Sequence, residues 1–238
     1  MGNGIRTLRL VTFVLAGCMS TVDAGFEGRP ITTNAFLPTG YTLHEGEFTV
    51  GIGSINYGAT EQLQFGTNLL LWIFQVKNAD AKFSLLKDED RAVAIGLGAS
   101  HFSLNLLRVD GNGLWGTDEA SFTTLVPYAS ASLSIGERTM GHLAGQFAYF
   151  RSDYETDDVE VAAWASGTGL TVGIEQALSD LTRLLADVGY DATFSGVRVA
   201  GGVLFGWDKF RLKLGLNYYS AGDGFFFPLV GIWWRFHS

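Results

Sequence analysis

The feature that most constrains the fold is an alternation of apolar with small, polar or charged residues that recurs along the chain. In the segment 210–220 every second residue is apolar, as shown by Phe210, Leu212, Leu214, Leu216 and Tyr218. A period of two places such residues on one face of a β-strand. The chain is therefore predicted to consist of β-strands, each with one apolar face.

The apolar content of the chain is high, but it is spread over many short segments. The mean hydropathy is +0.19, and charged residues make up 17% of the sequence, below the ~25% of an ordinary soluble domain. After the N-terminus no stretch approaches the ~20 consecutive apolar residues of a membrane-spanning helix. This combination is typical of a transmembrane β-barrel, whose strands contact lipid through alternate residues.

Two observations indicate that the apolar face meets lipid rather than a soluble core. The opposite face is rich in small residues, as in Ala94, Gly96, Gly98 and Ser100, whereas a solvated face would carry more Lys and Glu. Aromatic residues also collect near the strand ends, as they do in the interfacial girdles of membrane barrels. A soluble β-sandwich or a lipocalin-like barrel is the alternative.

Tight polar turns alternate with longer polar loops and divide the chain into eleven predicted strands. These are 46–57, 62–73, 78–86, 91–104, 119–135, 139–151, 159–178, 181–190, 196–207, 210–220 and 225–236. Single-chain bacterial barrels have an even number of strands, so the segment 31–43 is predicted to supply a twelfth, although Pro38 cannot donate to a ladder. The prediction is an all-β, antiparallel, up-and-down transmembrane barrel of twelve strands over residues 45–238, with ten strands as the alternative.

The end of the chain resembles the closing strand of bacterial outer-membrane β-barrel proteins. Gly231, Trp234 and Phe236 match a pattern that reads polar-x-Gly-x-x-apolar-x-aromatic, although Leu229 stands at its polar position. The resemblance implies a barrel in the outer membrane of a Gram-negative bacterium. It also implies membrane lipids and the barrel-assembly machinery as partners, with a monomer as the expected state.

The N-terminus has the pattern of a secretory signal peptide, predicted over residues 1–17. Two arginines precede the short apolar core 10–16. The sequence Leu15-Ala16-Gly17-Cys18 resembles the lipobox of bacterial lipoproteins, which implies acylation of Cys18, the only cysteine of the chain. Residues 18–44 would then form an N-terminal segment ahead of the barrel. The alternative is cleavage after Ala24, which would remove Cys18 with the signal.

Charged residues are predicted to cluster on the lumenal face of the later strands. The cluster consists of Glu175, Arg183, Asp187, Arg198, Arg211 and Lys213. One interpretation is a lattice of salt bridges that braces the interior, because buried charges need partners. The other is a basic constriction that selects anions. The formal net charge of the whole chain is −8, which does not favour binding to nucleic acid.

The sequence favours a narrow passive pore for small hydrophilic solutes, anions among them. The first alternative is a closed structural or surface-interaction barrel with a salt-bridged lumen. The second is a lipid-modifying enzyme, for which His101 with Ser103 is the only arrangement worth testing. His142 is expected to be a hydrogen-bonded lumenal residue. No cofactor and no metal site are expected.

The lipobox gives a direct prediction. In cells grown with labelled fatty acid, Cys18→Ala should abolish labelling of the mature protein, because the thiol is the acylated group. Persistence of the label in the variant would contradict the lipobox interpretation. Val22→Leu, which alters only the alternative cleavage site, is the control and should leave labelling unchanged.

Overall fold

The computed structural model describes residues 31–109, 115–155, 160–192, 195–220 and 223–236, and it forms a closed antiparallel β-barrel. In chain order the strands are β1 (Phe48–Gly51), β2 (Ile55–Gly58), β3 (Leu63–Thr67), β4 (Lys77–Lys87), β5 (Arg91–Val109), β6 (Trp115–Gly136), β7 (Thr139–Glu155), β8 (Glu160–Ser179), β9 (Thr182–Asp191), β10 (Gly196–Trp207), β11 (Phe210–Tyr219) and β12 (Phe225–Phe236). Each strand pairs with its neighbours in sequence, and β1 pairs with β12 to close the barrel. The predicted up-and-down barrel of twelve strands is confirmed.

The position of the first strand differs from the prediction. The expected strand over 31–43 is wrong, because this segment lies inside the barrel and forms only an isolated bridge between Thr33 and Pro38. The twelfth strand arises instead because the predicted strand 46–57 is a hairpin of β1 and β2. Gly53 permits its tight turn with a φ of +96°, and the backbone N–H of Gly51 donates to the carbonyl of Ser54.

The predicted strand 62–73 is also interrupted. It ends at Thr67, and a short helix, α1 (Leu69–Ile73), follows. The side-chain oxygen of Asn68 caps this helix by accepting hydrogen bonds from the backbone N–H groups of Leu70 and Leu71. The physical reason is visible in the sequence, because five consecutive apolar residues carry no period-two alternation that would fix a strand face.

The outward face of the barrel forms a continuous apolar belt. Large apolar side chains are exposed on every strand, for example Phe48, Tyr57, Phe65, Phe83, Ile95, Leu125, Leu143, Leu170, Val188, Val199, Leu214 and Val230. Exposed apolar surface of this extent is stable only against a nonpolar surrounding. The belt therefore meets the hydrocarbon core of a membrane.

Among the described residues, no helix has both the length and the apolar character needed to cross a membrane.

Strand lengths differ widely around the barrel. The strands β5 to β8 have 17 to 22 residues, whereas β1, β2 and β3 have only four or five. A membrane-spanning strand needs about 9–11 residues, so β5 to β8 extend beyond the bilayer on the side of the longer loops. The short strands β1 to β3 make the barrel wall lower on the side that lies across the lumen from β5 to β8.

Close strand packing makes Gly215 a sensitive position. A Cβ atom at Gly215 would lie 2.2 Å from the carbonyl oxygen of Gly201, whereas one at Gly98 would have no neighbour nearer than 3.9 Å. Gly215→Ala should therefore lower the free energy of unfolding by about 1–3 kcal/mol, since the backbone must shift. Gly98→Ala is the matched control and should have little effect. Urea titration of the folded barrel in lipid bilayers measures both, and equal stabilities would contradict the packing argument.

Candidate functional site in the lumen

Residues 31–47, which we call the plug, occupy the lumen at the end of the barrel where short turns join the strands. Apart from the isolated bridge its residues form neither strand nor helix, and most of their side chains are buried. The buried residues include Ile31, Asn34, Ala35, Leu37, Thr39, Tyr41, Thr42, Leu43 and Glu47. Because an irregular backbone has no ladder of its own, its buried N–H and C=O groups need partners on the barrel wall.

Apolar contacts hold one side of the plug. Ile31 and Ala35 form a small buried cluster with four wall residues that face the lumen, namely Leu185, Ala200, Leu204 and Leu229. Residues that face a water-filled lumen are usually polar. The plug therefore explains why Leu229 interrupts the polar positions of β12.

Two charged side chains hold the central turn of the plug. The Lys213 ammonium donates to the carbonyl oxygens of Asn34 and Ala35, at 2.7 and 3.1 Å. The Asp187 carboxylate accepts from the backbone N–H groups of Phe36 and Leu37, at 2.9 and 3.3 Å. The carbonyl groups of residues 34 and 35 are thus bound by the lysine, and the N–H groups of residues 36 and 37 are bound by the aspartate.

The opposite wall holds the plug in the same manner. The Lys82 ammonium donates to the carbonyl oxygens of Thr32 and Tyr41, at 3.1 and 2.7 Å. The Ser130 hydroxyl donates to the carbonyl of Thr39 at 2.8 Å. Lys82 lay outside the predicted charge cluster, although it faces the same lumen.

A buried polar chain lies beneath the plug. The Ser132 hydroxyl accepts from the backbone N–H of Gly40 and lies 2.9 Å from Nδ1 of His142. Nε2 of His142 lies 3.4 Å from Oε2 of Glu175, and Glu175 forms an ion pair with Arg183. The sequence of groups is similar to a hydrolase relay, but Ser132 is only 3% exposed and already bonds to the plug. The arrangement supports the plug, because Ser132 holds the backbone of Gly40.

The two remaining residues of the predicted cluster have different partners. The Arg211 guanidinium donates to the carbonyls of Trp207, Asp208 and Phe210, so it orders the β10–β11 turn. The Arg198 guanidinium lies 5.4 Å from the ring centre of Phe36, a cation–π contact with the plug.

The end of the plug is fastened by carboxylates at the short turns. Glu47 forms an ion pair with Arg235 of β12. Glu61, in the β2–β3 turn, accepts from the Lys87 ammonium and the backbone N–H of Glu45 and lies 3.0 Å from Nδ1 of His44. Partial burial alone would raise the pKa of Glu61, but the bonds from Lys87, Glu45 and His44 lower it to about 2. The Glu61 carboxylate is therefore ionised at neutral pH, as these contacts require.

The plug leaves a cavity of about 440 Å³ beside it in the lumen, between the plug and the wall formed by β12, β1 and β2. A second space of about 910 Å³ lies along β3 to β9. Its lining includes Phe83, Ile95 and Leu170 of the apolar belt, so it opens to the lipid-facing surface. The plug thus fills part of the barrel and leaves space beside it.

The other predicted residues lie away from the plug. His101 is exposed, and its Nδ1 lies 2.9 Å from the Thr123 hydroxyl rather than bonding to Ser103. In the closing strand, Trp234 and Phe236 pair with β1, and Gly231 leaves space beside Trp233. Cys18 and the signal peptide lie outside the described residues.

The closed antiparallel barrel, its even number of strands and its exposed apolar belt define a bacterial outer-membrane β-barrel protein. This confirms the class indicated by the sequence, and the outer membrane is accordingly its location.

No protein-family model and no curated protein matches the chain. Nineteen chains of solved structures match the barrel, and outer-membrane proteins are among them. OmpT of Vibrio cholerae is 14% identical over 77% of this chain and 64% of its own, with a TM-score of 0.42. The CymD monoaromatic hydrocarbon channel is 10% identical over 81% and 74%, with a TM-score of 0.44. The toluene transporter TodX of Pseudomonas putida is 10% identical over 86% and 72%, with a TM-score of 0.42. These similarities concern the fold alone.

Removal of the Asp187 carboxylate should loosen the plug. In Asp187→Ala the backbone N–H groups of Phe36 and Leu37 lose their acceptor, and each such loss costs about 1–3 kcal/mol. Amide exchange at these residues should therefore accelerate at least tenfold, as measured by hydrogen–deuterium exchange with mass spectrometry. Asp153→Ala, which removes a carboxylate paired with Arg151 near the outer loops, is the control. Unchanged protection in Asp187→Ala would show that the plug is held by other contacts.

Proposed function

We propose that the protein is an outer-membrane passage for small solutes that is closed at rest by its own N-terminal plug. The observation that carries this proposal is the set of hydrogen bonds that Lys82 and Lys213 donate to the plug backbone and that Asp187 accepts from it. The side chains expected to line an open pore are engaged in holding the lumen shut. The resting barrel is therefore a poor conductor.

Two features support a plug that can be displaced. Much of its attachment is polar, and water can replace such hydrogen bonds at a small net cost, since each contributes about 0.5–1.5 kcal/mol. The lumen beside it also retains about 440 Å³ of space, which gives the segment room to move. Once the plug leaves, Lys82, Lys213 and Arg198 face the opened lumen together with the Asp187 carboxylate. Three released cations against one released carboxylate favour anions.

The second candidate function is a permanently closed barrel with a structural or surface-interaction role. The specific observation in its favour is the apolar cluster of Ile31 and Ala35 with Leu185, Leu204 and Leu229, since water cannot replace those contacts. The two functions differ in one measurable property, namely whether the barrel ever conducts.

Conductance in planar bilayers tests the proposal. The full-length protein should be silent or open rarely, whereas a variant without residues 31–43 should show steady openings with anion selectivity. Without the plug, water fills the lumen and hydrates its charged side chains, so ions can pass. The heat-dependent shift in electrophoretic mobility verifies that the barrel of the variant has folded.

A milder pair of variants guards against misfolding of the deletion. Lys213→Met removes a cation that binds the plug and should raise the frequency of openings severalfold. Arg151→Met removes an exposed cation that pairs with Asp153 and should change nothing. A full-length protein that conducts as well as the deletion would contradict closure by the plug. A folded deletion variant that stays silent would contradict it as well. A deletion variant that conducts, with no openings from the full-length protein or from Lys213→Met, would favour the permanently closed barrel.

A further inference from the structure

The barrel wall is incomplete on one side. The strand β1 pairs with β12 only over Trp233–Phe236, and one further bond joins the N–H of Ile52 to the carbonyl of Ile232. Beyond this point the segment Phe225–Gly231 pairs with β11 alone. The space bounded by Phe225–Gly231, the turn 52–54 and α1 is called the lateral gap.

The lateral gap lies within the membrane belt. The outward apolar residues of β12 run from Phe226 to Phe236, a length of eleven residues that matches the 9–11 of a spanning strand. The β1–β2 turn reaches only the level of Ile232. From there to Phe226 is roughly 20 Å along the strand at the usual rise per residue. The gap is therefore open to the half of the bilayer on the long-loop side.

The unpaired edge of β12 carries a proline at a position where a backbone N–H would have no partner strand. In an antiparallel strand successive residues point their N–H and C=O groups to alternate sides. Because the carbonyl of Ile232 points towards β1, the backbone groups of Val230, Pro228 and Phe226 point into the gap. Pro228 has no N–H, so the edge exposes one unsatisfied donor fewer, which suits a strand without a neighbour.

The rim of the gap is apolar. Ile52, Val230 and Phe226 are 63, 59 and 73% exposed, and Leu70 of α1 is 43% exposed. No charged residue is found on this rim among the residues that the structure describes. Hydrocarbon can thus approach the opening from the bilayer.

The 440 Å³ cavity connects this rim with the interior. Ile52, Gly53 and Leu70 line its outer part, and Thr32 and Phe36 of the plug line its inner part. Three cations, Arg211, Lys213 and Arg235, line its base, and no carboxylate belongs to the described lining. The cavity is therefore apolar towards the membrane and positive towards the plug.

We propose that the lateral gap is a portal through which small anionic amphiphiles, such as medium-chain carboxylates, pass between the bilayer and the lumen. The hydrocarbon chain lies between Ile52, Leu70 and Val230, and the carboxylate faces Lys213 and Arg211. Passage through the lumen rests on the proposed function, whereas binding in the 440 Å³ cavity does not. The anionic head competes with the carbonyls of Asn34 and Ala35 for the Lys213 ammonium, so binding also loosens the plug.

Equilibrium binding of radiolabelled octanoate to the full-length protein in phosphatidylcholine nanodiscs tests the portal, with empty nanodiscs as the background. Saturable binding is expected, with weak competition by octanol and none by acetate. The double variant Ile52→Asp with Val230→Asp places two charges on the rim and should weaken octanoate binding at least tenfold. Val172→Asp with Leu184→Asp, on lipid-facing positions away from the gap, is the matched control and should bind as the parent does.

Each outcome decides the proposal. Saturable binding that the rim variant loses and the control retains supports the portal. Binding that is equal in the rim variant and the parent means that the octanoate chain does not lie against the rim, which overturns the proposal, as does the absence of saturable binding. If both charged pairs impair folding, Ile52→Asn with Val230→Asn replaces the rim variant and Val172→Asn with Leu184→Asn replaces the control. Steady conductance of the full-length protein with octanoate binding intact would refute the closed resting state but not the portal.

Discussion

The hydrogen-bonding requirement of a buried irregular segment is the constraint on which the rest of this structure depends. The plug has almost no secondary structure of its own, yet it lies inside the barrel, where an unpaired N–H or C=O group is costly. Lys82, Lys213 and Asp187 meet that requirement by bonding directly to its backbone. The charges of the lumen are therefore distributed according to the course of the plug, with cations at its carbonyls and a carboxylate at its amides.

The same contacts make the plug and the wall mutually dependent. A lysine at 2 to 8% exposure, as at Lys82 and Lys213, is tolerated only with polar partners, and the plug carbonyls supply them. Elsewhere in the wall, Glu175 and Arg183 provide each other with a partner in an ion pair. The barrel interior is thus a polar matrix around a short peptide rather than a channel with side chains projecting into water.

The alternation of apolar and polar residues predicted the later strands closely. It failed for the plug, because a strand that faces lipid and a segment that contacts the lumen wall can show the same alternation. The strands β10 and β12 begin and end where the sequence placed them, because each keeps one uninterrupted apolar face against lipid. In the segment 31–43 the odd-numbered residues Ile31, Ala35, Leu37, Tyr41 and Leu43 also alternate. They do so because they contact the lumen wall, which a period of two cannot distinguish from contact with lipid.

The candidate site was predictable in part. The alternation of residues along β8 to β11 predicted that Glu175, Asp187 and Lys213 face the lumen, and in the structure they are buried there. Their partners were not predictable, because backbone carbonyls and amides are present at every residue and leave no signal in a sequence. The lumen-facing Leu185, Leu204 and Leu229 were the available indication that something apolar fills the interior.

The seam between β1 and β12 has a consequence for the order of assembly. It joins only four residue pairs, and its Glu47–Arg235 ion pair links residues 188 positions apart. All other strand pairs join neighbours in sequence, so they form with far smaller loop-closure entropy and precede it. The plug is attached directly to β1, so closure at this seam also brings Arg235 of β12 to Glu47 at the end of the plug. The last strand pairing of the barrel and the fastening of the plug are therefore one event.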